Sequence, residues 1–458
     1  MAWRCVAFLA GASEQARRRA AQQTVYHDAE RPSHILLPVI PPRKRLMRKI
    51  TATARGAFLA AVVVAGVSPI LGQQEKFDLL VRGGHVIDPR NGINSVMDVA
   101  IAGGKIAEVA ARIDPSRANR VADATGLYVV PGLVDLHAHV FYGTEDTYLS
   151  NGYVAVQPDA HALRAGVTTV VDAGGAGWRN FDQFKRQVID RSLTRVLSFI
   201  NIVGSGMKGG PFEQDLADMN ASLTVMRIRE HPKVIVGIKT AHYRGPEWDP
   251  VDRAVEAGKQ AEVPVMVDFG TFRAERPFED LVLKHLRPGD VYTHTFLGAV
   301  PMLDQSGKIR PYLFDAQKRG IIFDVGHGSG SFWYSQAEPA TAQGFWPDTI
   351  STDLHAESMV RGMKDMTNVM SKLLNLGMSL QDVIARSTWK PAQVIKRTDL
   401  GHLSVGAPAD VTVLRLHRGT FGFIDVRGGR KAGTQKLEAE LTVRDGRIVW
   451  DLNGISAP

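Results

Sequence analysis

The chain has 458 residues, 44% of them hydrophobic, enough to bury one large core and an accessory one. Its formal charge of +8 would point to a polyanion as partner, but residues 1–72 carry 11 Lys/Arg against 3 Asp/Glu, leaving 44 of each sign in residues 73–458. The body is electrically balanced and shows no Lys/Arg stripe with interleaved aromatics, which argues against nucleic acid as a partner; the sole cysteine, Cys5, leaves the rest without disulfides, thiol nucleophiles or thiolate metal ligands.

In chain order, residues 1–46 contain Arg17-Arg18-Arg19 and Pro41-Pro42-Arg43-Lys44-Arg45 but no sustained hydrophobic period, and read as a leader without a fold ahead of a true start at Met47. Residues 47–72 resemble a bacterial secretory signal peptide. Met47-Arg48-Lys49 is basic, residues 57–67 are apolar, and a small-residue exit leads to Gln73-Gln74. Eleven apolar residues are short for a bilayer span. The expectation is export to the periplasm or beyond, with no stable membrane anchor after cleavage, although Ile70-Leu71-Gly72 departs from the small-x-small cutting pattern.

Residues 77–121 read as short strands around Gly83-Gly84 and Gly103-Gly104, a hairpin texture that returns at 409–414 and 441–450. Both ends are therefore expected to meet in one small, discontinuous β-sandwich, residues 73–126 and 394–458. Between them, apolar strands at 129–136, 167–172, 195–202, 234–239, 264–269, 291–293, 321–325 and 349–352 alternate with helical stretches at 181–190, 221–231, 249–261, 278–286, 312–319 and 359–376. Eight such units over residues 127–393 define an α/β fold, a (β/α)8 TIM barrel. In that architecture chemistry gathers where the strands end.

The first barrel strand ends in Val130-Pro131-Gly132-Leu133-Val134-Asp135-Leu136-His137-Ala138-His139. Side chains alternate along an extended segment, so His137 and His139 point the same way with only Ala138 between them. Two imidazoles side by side at a strand end are more readily satisfied by one shared cation than by two separate partners. The other strand ends supply Lys239, Asp268, His294, His327 and Asp353.

These motifs resemble the amidohydrolase superfamily, and within it the dihydroorotase-like deacetylase branch. The resemblance runs from about Phe77 to Trp450 and rests on Pro-Gly-Leu-Val-Asp-Leu-His-Ala-His, Val-Gly-Ile-Lys-Thr, Tyr-Thr-His-Thr-Phe, Phe-Asp-Val-Gly-His-Gly and Ser-Thr-Asp-Leu-His. It implies two divalent metal ions, usually zinc. By position, His137, His139 and Asp353 would bind the more buried ion, a carboxylated Lys239 would bridge, and His294 would hold the second. Lysine can be a ligand only in that modified form, because an ammonium has no lone pair.

One departure matters. The resemblance implies a histidine at the end of strand five, where Val265-Met266-Val267-Asp268-Phe269 places a carboxylate. Asp268 can bind zinc, would make the ion a weaker Lewis acid, and would favour a harder ion such as manganese. Alternatively His242 supplies the missing ligand, or Asp268 only accepts a hydrogen bond beside a mononuclear site.

The chemistry implied is hydroxide generated from water shared by two cations, with Asp353 taking the proton and passing it to the leaving group; Asp353 could instead cap the following helix. His327 and Gly328, in His327-Gly328-Ser329-Gly330-Ser331, offer a ring and backbone N–H groups for a substrate carboxylate or an oxyanion, or a tight turn that needs glycine. Residues 204–210 read as a lid, and Tyr142, Arg179, Arg244 and Trp248 as weaker loop candidates. The arginine that dihydroorotases carry just past His-x-His is replaced by Val140-Phe141-Tyr142, which disfavours pyrimidine-ring hydrolysis. The expected partner is a small, carboxylated molecule cleaved at an amide or ester acyl bond, and a homo-oligomer stays open. The rivals are a cyclic amidase, a silent barrel scaffold lacking the second metal, and a periplasmic binding protein.

Overall fold

The structure is a computed structural model that describes residues 76–143 and 152–456. The leader and signal peptide expected over 1–72 lie outside the described residues. Fifteen strands among the described residues form two sheets.

The first sheet takes β1 (Leu79–Asp88), β2 (Ile93–Ala102), β3 (Lys105–Ala110), β4 (Val121–Asp123) and β5 (Tyr128–Pro131) from one end of the described chain. The other end adds β13 (Val411–Ile424), β14 (Arg430–Arg444) and β15 (Arg447–Asp451). Its order is β15-β14-β13-β5-β1-β2-β3, with β4 paired to β1. The chain thus leaves and re-enters one sheet, as the paired β texture at both ends predicts.

The second sheet is all parallel: β6 (Leu133–Ala138), β7 (Val167–Gly177), β8 (Arg195–Asn201), β9 (Ile235–Ala241), β10 (Val265–Asp268), β11 (Val291–Tyr292) and β12 (Ile322–Phe323). Burial on both faces explains its near-continuous apolar runs. Alternate side chains separate into an inner cluster, with Val134, Leu136, Leu197, Phe199 and Met266, and an outer layer under the helices, with Val265, Val267 and Phe269.

Three differences from the sequence reading bear on the site. The expected strand 129–136 is two strands bent at Gly132, where β5 leaves the first sheet and β6 enters the second. A Cβ on Gly132 would stand 2.7 Å from Thr168 Cγ2, and the Gly132 N–H donates to Asp410 O. The mark of the change in an otherwise apolar run is the dipeptide Pro131-Gly132, a turn signal.

The eighth barrel strand is not a regular strand. Residues 349–354 nonetheless close the sheet, since Val325 N–H donates to Thr349 O and Gly328 N–H to Thr352 O, while Leu354 N–H donates to His137 O and His139 N–H to Leu354 O. Buried carboxylates reinforce these isolated backbone bridges. Asp135 accepts from the backbone N–H and the hydroxyl of Thr352, and Asp324 from the hydroxyls of Thr293, Thr349 and Ser351.

The helix expected over 359–376 is broken into Ala356–Val360 and Met366–Asn375. Asp365 caps the second piece by accepting from Asn368 N–H at 2.8 Å. In the break, a Cβ on Gly362 would lie 2.8 Å from the backbone of Asp425. Asp425 follows β13, whose hairpin with β14 extends over the barrel: Ser371 Oγ accepts from Leu437 N–H, Asn375 Nδ2 donates to Gln435 O, and Asp425 accepts from Tyr334 N–H.

Candidate metal centre

Six residues expected from strand ends converge at one end of the parallel sheet. His139 Nε2 lies 2.9 Å and His137 Nε2 3.6 Å from Asp353 Oδ1. His294 Nε2 is 3.1 Å from Asp268 Oδ1. Between the two sets, Lys239 Nζ lies 3.1 Å from His137 Nε2 and 3.0 Å from Asp268 Oδ2. Two groups have ligand atoms all within 4.8 Å of one another, His137 with His139 and Asp353, and His137 with Asp268 and His294. All six are buried.

The tautomers decide whether these atoms can hold a cation. Thr293 Oγ1 donates to Asp324 Oδ2 at 2.8 Å, so it accepts from His137 Nδ1–H at 3.0 Å, leaving a lone pair on His137 Nε2. Gly326 O can only accept, so His294 Nδ1 donates to it at 2.6 Å, and His294 Nε2 is the atom that faces the Asp268 carboxylate; burial acts downward on the ring's pKa but is outweighed by that carboxylate, which raises it. At about 3 Å the contact between His294 and Asp268 requires a proton or a metal between nitrogen and oxygen, while the lone pair of His137 Nε2 meets Lys239 Nζ. The donor set, imidazole nitrogens with carboxylate oxygens and no sulfur, fits zinc or manganese. The partners holding the rings from behind are the outer contacts such ligands need.

Charge within the cluster is strongly perturbed. Burial pushes His137 well below the ordinary imidazole range, and the Lys239 ammonium adds to it. At Asp268, burial acts upward but is outweighed by His294, Lys239 and His242, which hold its carboxyl well below the usual range. The backbone is strained too. His242, His294 and Asp353 have φ of 56°, 65° and 51°, a left-handed region costly for residues with a Cβ and found where function over-determines the geometry.

Asp268 stands with His137 and His294 rather than outside the cluster. His242 is its neighbour, with Nε2 3.9 Å from Asp268 Oδ2 and Nδ1 3.1 Å from Glu213 Oε1.

Two substrate-binding expectations are corrected. The His327 ring is fully buried, with both nitrogens engaged within the protein, Nε2 to Lys372 Nζ at 2.6 Å and Nδ1 to Gly328 O at 3.1 Å. The Gly328 N–H donates to Thr352 O at 2.9 Å, and a Cβ there would run into the Asp353 carboxylate. Neither is offered to a ligand: Gly328 lies against Asp353, and the His327 ring faces Lys372 and Phe332. The 204–210 run is tied down rather than free, with Met207 N–H donating to Gly174 O and Asn180 Nδ2 to Ser205 O. Arg179 pairs with Asp218, and Trp248 stacks on His285.

Sequence reasoning missed Asp135, Asp172, Asp324, Glu213 and Lys372. The three aspartates carried a signal, since an acid inside an apolar strand must find buried partners. Asp172 accepts from the backbone of Val140 and Phe141, just past His139.

The model of the amidohydrolase family matches residues 335–449. A deacetylase from Agrobacterium fabrum is 36% identical over 337 residues, covering 70% of this chain and 79% of that protein. The chain belongs to the amidohydrolase family. A deacetylase from Enterococcus faecalis is 32% identical over 380 residues, 81% of this chain and 99% of that one. The crystal structure of an adenine deaminase superposes on 82% of the chain and 100% of its own with a TM-score of 0.75 and 30% identity. These relatives support a hydrolase acting on carbon–nitrogen bonds and a barrel with a β-sandwich domain, and members of this superfamily generally use divalent metals.

Proposed function

We propose that this amidohydrolase cleaves an amide or ester acyl bond of a small, carboxylated molecule at a centre built for two divalent ions, zinc or manganese. The observation that carries the reading is the pair of ligand clusters sharing His137 with Lys239 Nζ between them. In the first cluster, His137, His139 and Asp353 would hold one ion; in the second, Asp268 and His294 would hold the other, with Lys239 bridging as its carboxylated form. Bound ions supply an activated water and a Lewis acid for the acyl carbonyl. Asp353, with one oxygen turned to His139 and the other 3.9 Å from His355 Nε2, accepts the proton released by the water and returns it to the leaving nitrogen or oxygen. The deacetylases at 32% and 36% identity support acyl rather than ring substrates. We also infer export, on the basic and apolar pattern of residues 47–72.

The test is metal quantification on protein beginning after Gly72, joined to a screen of N-acyl amino acids, acyl esters, hydantoins and lactams. Two ions per chain, lost to a chelator together with acyl hydrolysis, are expected. Turnover confined to hydantoins or lactams would replace the reading with a cyclic amidase. One ion or none, without turnover, would leave a scaffold.

A further inference from the structure

The tripeptide Gly326-His327-Gly328, just past β12, touches both ligand clusters. Gly326 O accepts from His294 Nδ1 at 2.6 Å, fixing the ring of the second cluster. Gly328, at φ +57°, lies against the Asp353 carboxylate, where a Cβ would come within 3.3 Å of Cγ, and so seats the first. Only His327, between them, turns away from the site. Its ring stacks on Phe332 with centroids 4.6 Å apart and planes 4° from parallel, and it meets Lys372 from the helix Met366–Asn375.

We propose that Lys372 is a positioning residue for both clusters, acting through His327 to hold this tripeptide; the inference rests on the metal-centre reading above. His327 Nδ1 faces a carbonyl, Gly328 O, and must donate. Its Nε2 then carries a lone pair that needs a buried donor. Lys372 Nζ provides one and gives a second N–H to Gly362 O at 2.6 Å. As ammonium or amine, a lysine has enough hydrogens for both. Packing alone does not call for it: Lys372 is fully buried, and a methionine would fill similar space without desolvating an ammonium. The β13–β14 hairpin seals the joint, since Val426 N–H donates to Phe332 O and Asp425 accepts from Tyr334 N–H.

The test is a cycle of Lys372→Met, His327→Phe and the double variant, in the metal-loaded protein for turnover and by chelator competition for zinc affinity. Each single substitution is expected to lower zinc affinity, kcat or both by roughly 10–100-fold, as removal of partners behind metal ligands does, with KM within about two-fold of wild type. The double variant should be no worse than the poorer single one, because both break the same link. Lys372→Gln, which keeps N–H donors, should recover part of the loss. Unchanged zinc affinity and kcat in folded Lys372→Met, or losses that multiply in the double variant, would overturn the proposal. If Lys372→Met does not fold, His327→Phe with wild-type zinc affinity and kcat overturns it, and His327→Phe matching the double variant in its loss supports it. Wild-type protein that binds zinc yet hydrolyses no acyl substrate would remove the hydrolytic reading, while zinc affinity across the cycle still decides the role of Lys372.

Discussion

Asp353 combines three unusual features: a left-handed backbone, a glycine pressed against its carboxylate, and imidazoles on both oxygens. Burial would raise its pKa, but His137, His355 and His139 outweigh burial and hold it well below the ordinary carboxylate range. It is therefore ionised at neutral pH but a weak base, so the proton it takes must come from a water whose own acidity bound ions have raised. Asp353→Asn keeps the size and removes the basicity; kcat should fall by about 10²–10⁴, the usual share of a general base, with circular dichroism unchanged. A decrease of less than about ten-fold would assign proton transfer to another group. Asp353, His137, His139, Lys239, Asp268 and His294 were legible in the sequence because strand periodicity and strand ends point polar side chains to one place. His327 was misread for a related reason: just past a strand end, alternation no longer says which way a ring turns. Lys372 gave no signal, since a lysine in a helix is ordinarily solvated.

At the scale of elements, the barrel closes through isolated backbone bridges that buried side chains reinforce. β11 and β12 are two residues each, and residues 349–354 bridge β12 and β6 with carboxylate support from Asp135 and Asp324. Asp324 joins this closure to the metal centre, because Thr293 Oγ1 bonds both its carboxylate and His137 Nδ1. Burial raises its pKa, while the hydroxyls of Ser351, Thr349 and Thr293 oppose the shift. Asp324→Ala leaves three buried hydroxyls without their acceptor, each costing about 1–3 kcal/mol if no water replaces it. The variant should melt at a lower temperature and bind zinc more weakly. Retention of both properties would show that the hydroxyls satisfy one another. The eight strand positions were readable from apolar runs between helical periods. The irregularity of the eighth was not, since Thr349–Thr352 has strand composition and the carboxylates that reinforce it lie 25 and 217 residues away. The break in helix 359–376 was equally hidden, because Gly362 is matched to Asp425 in a hairpin from the far end of the chain.

Over the whole molecule, the accessory sheet is tied to the barrel where the loop behind the candidate metal centre meets the helix carrying Lys372. That junction has a measurable thermodynamic signature. Burial lowers the Lys372 pKa from 10.5 to about 7, with Lys364 adding to the effect and Asp425 opposing it. An unfolded lysine keeps its proton to about pH 10.4. Between about pH 7 and 10 the unfolded chain thus binds more protons at this position than the folded one, so the stability contributed there rises with pH. Below about pH 7 both states are protonated and the cost of burying the charge is fully present. Lys372→Met has no such group. Measured on metal-free protein by urea unfolding at several pH values, the stability of wild type minus that of Lys372→Met should increase by about 1.4 kcal/mol per pH unit across this window, since the other titrating groups cancel in the difference. A flat difference between pH 7 and 10 would mean that Lys372 keeps its charge throughout, held as ammonium between His327, Gly362 O and the Phe332 ring, and the joint between hairpin and barrel would then be a buried cation rather than a titrating amine.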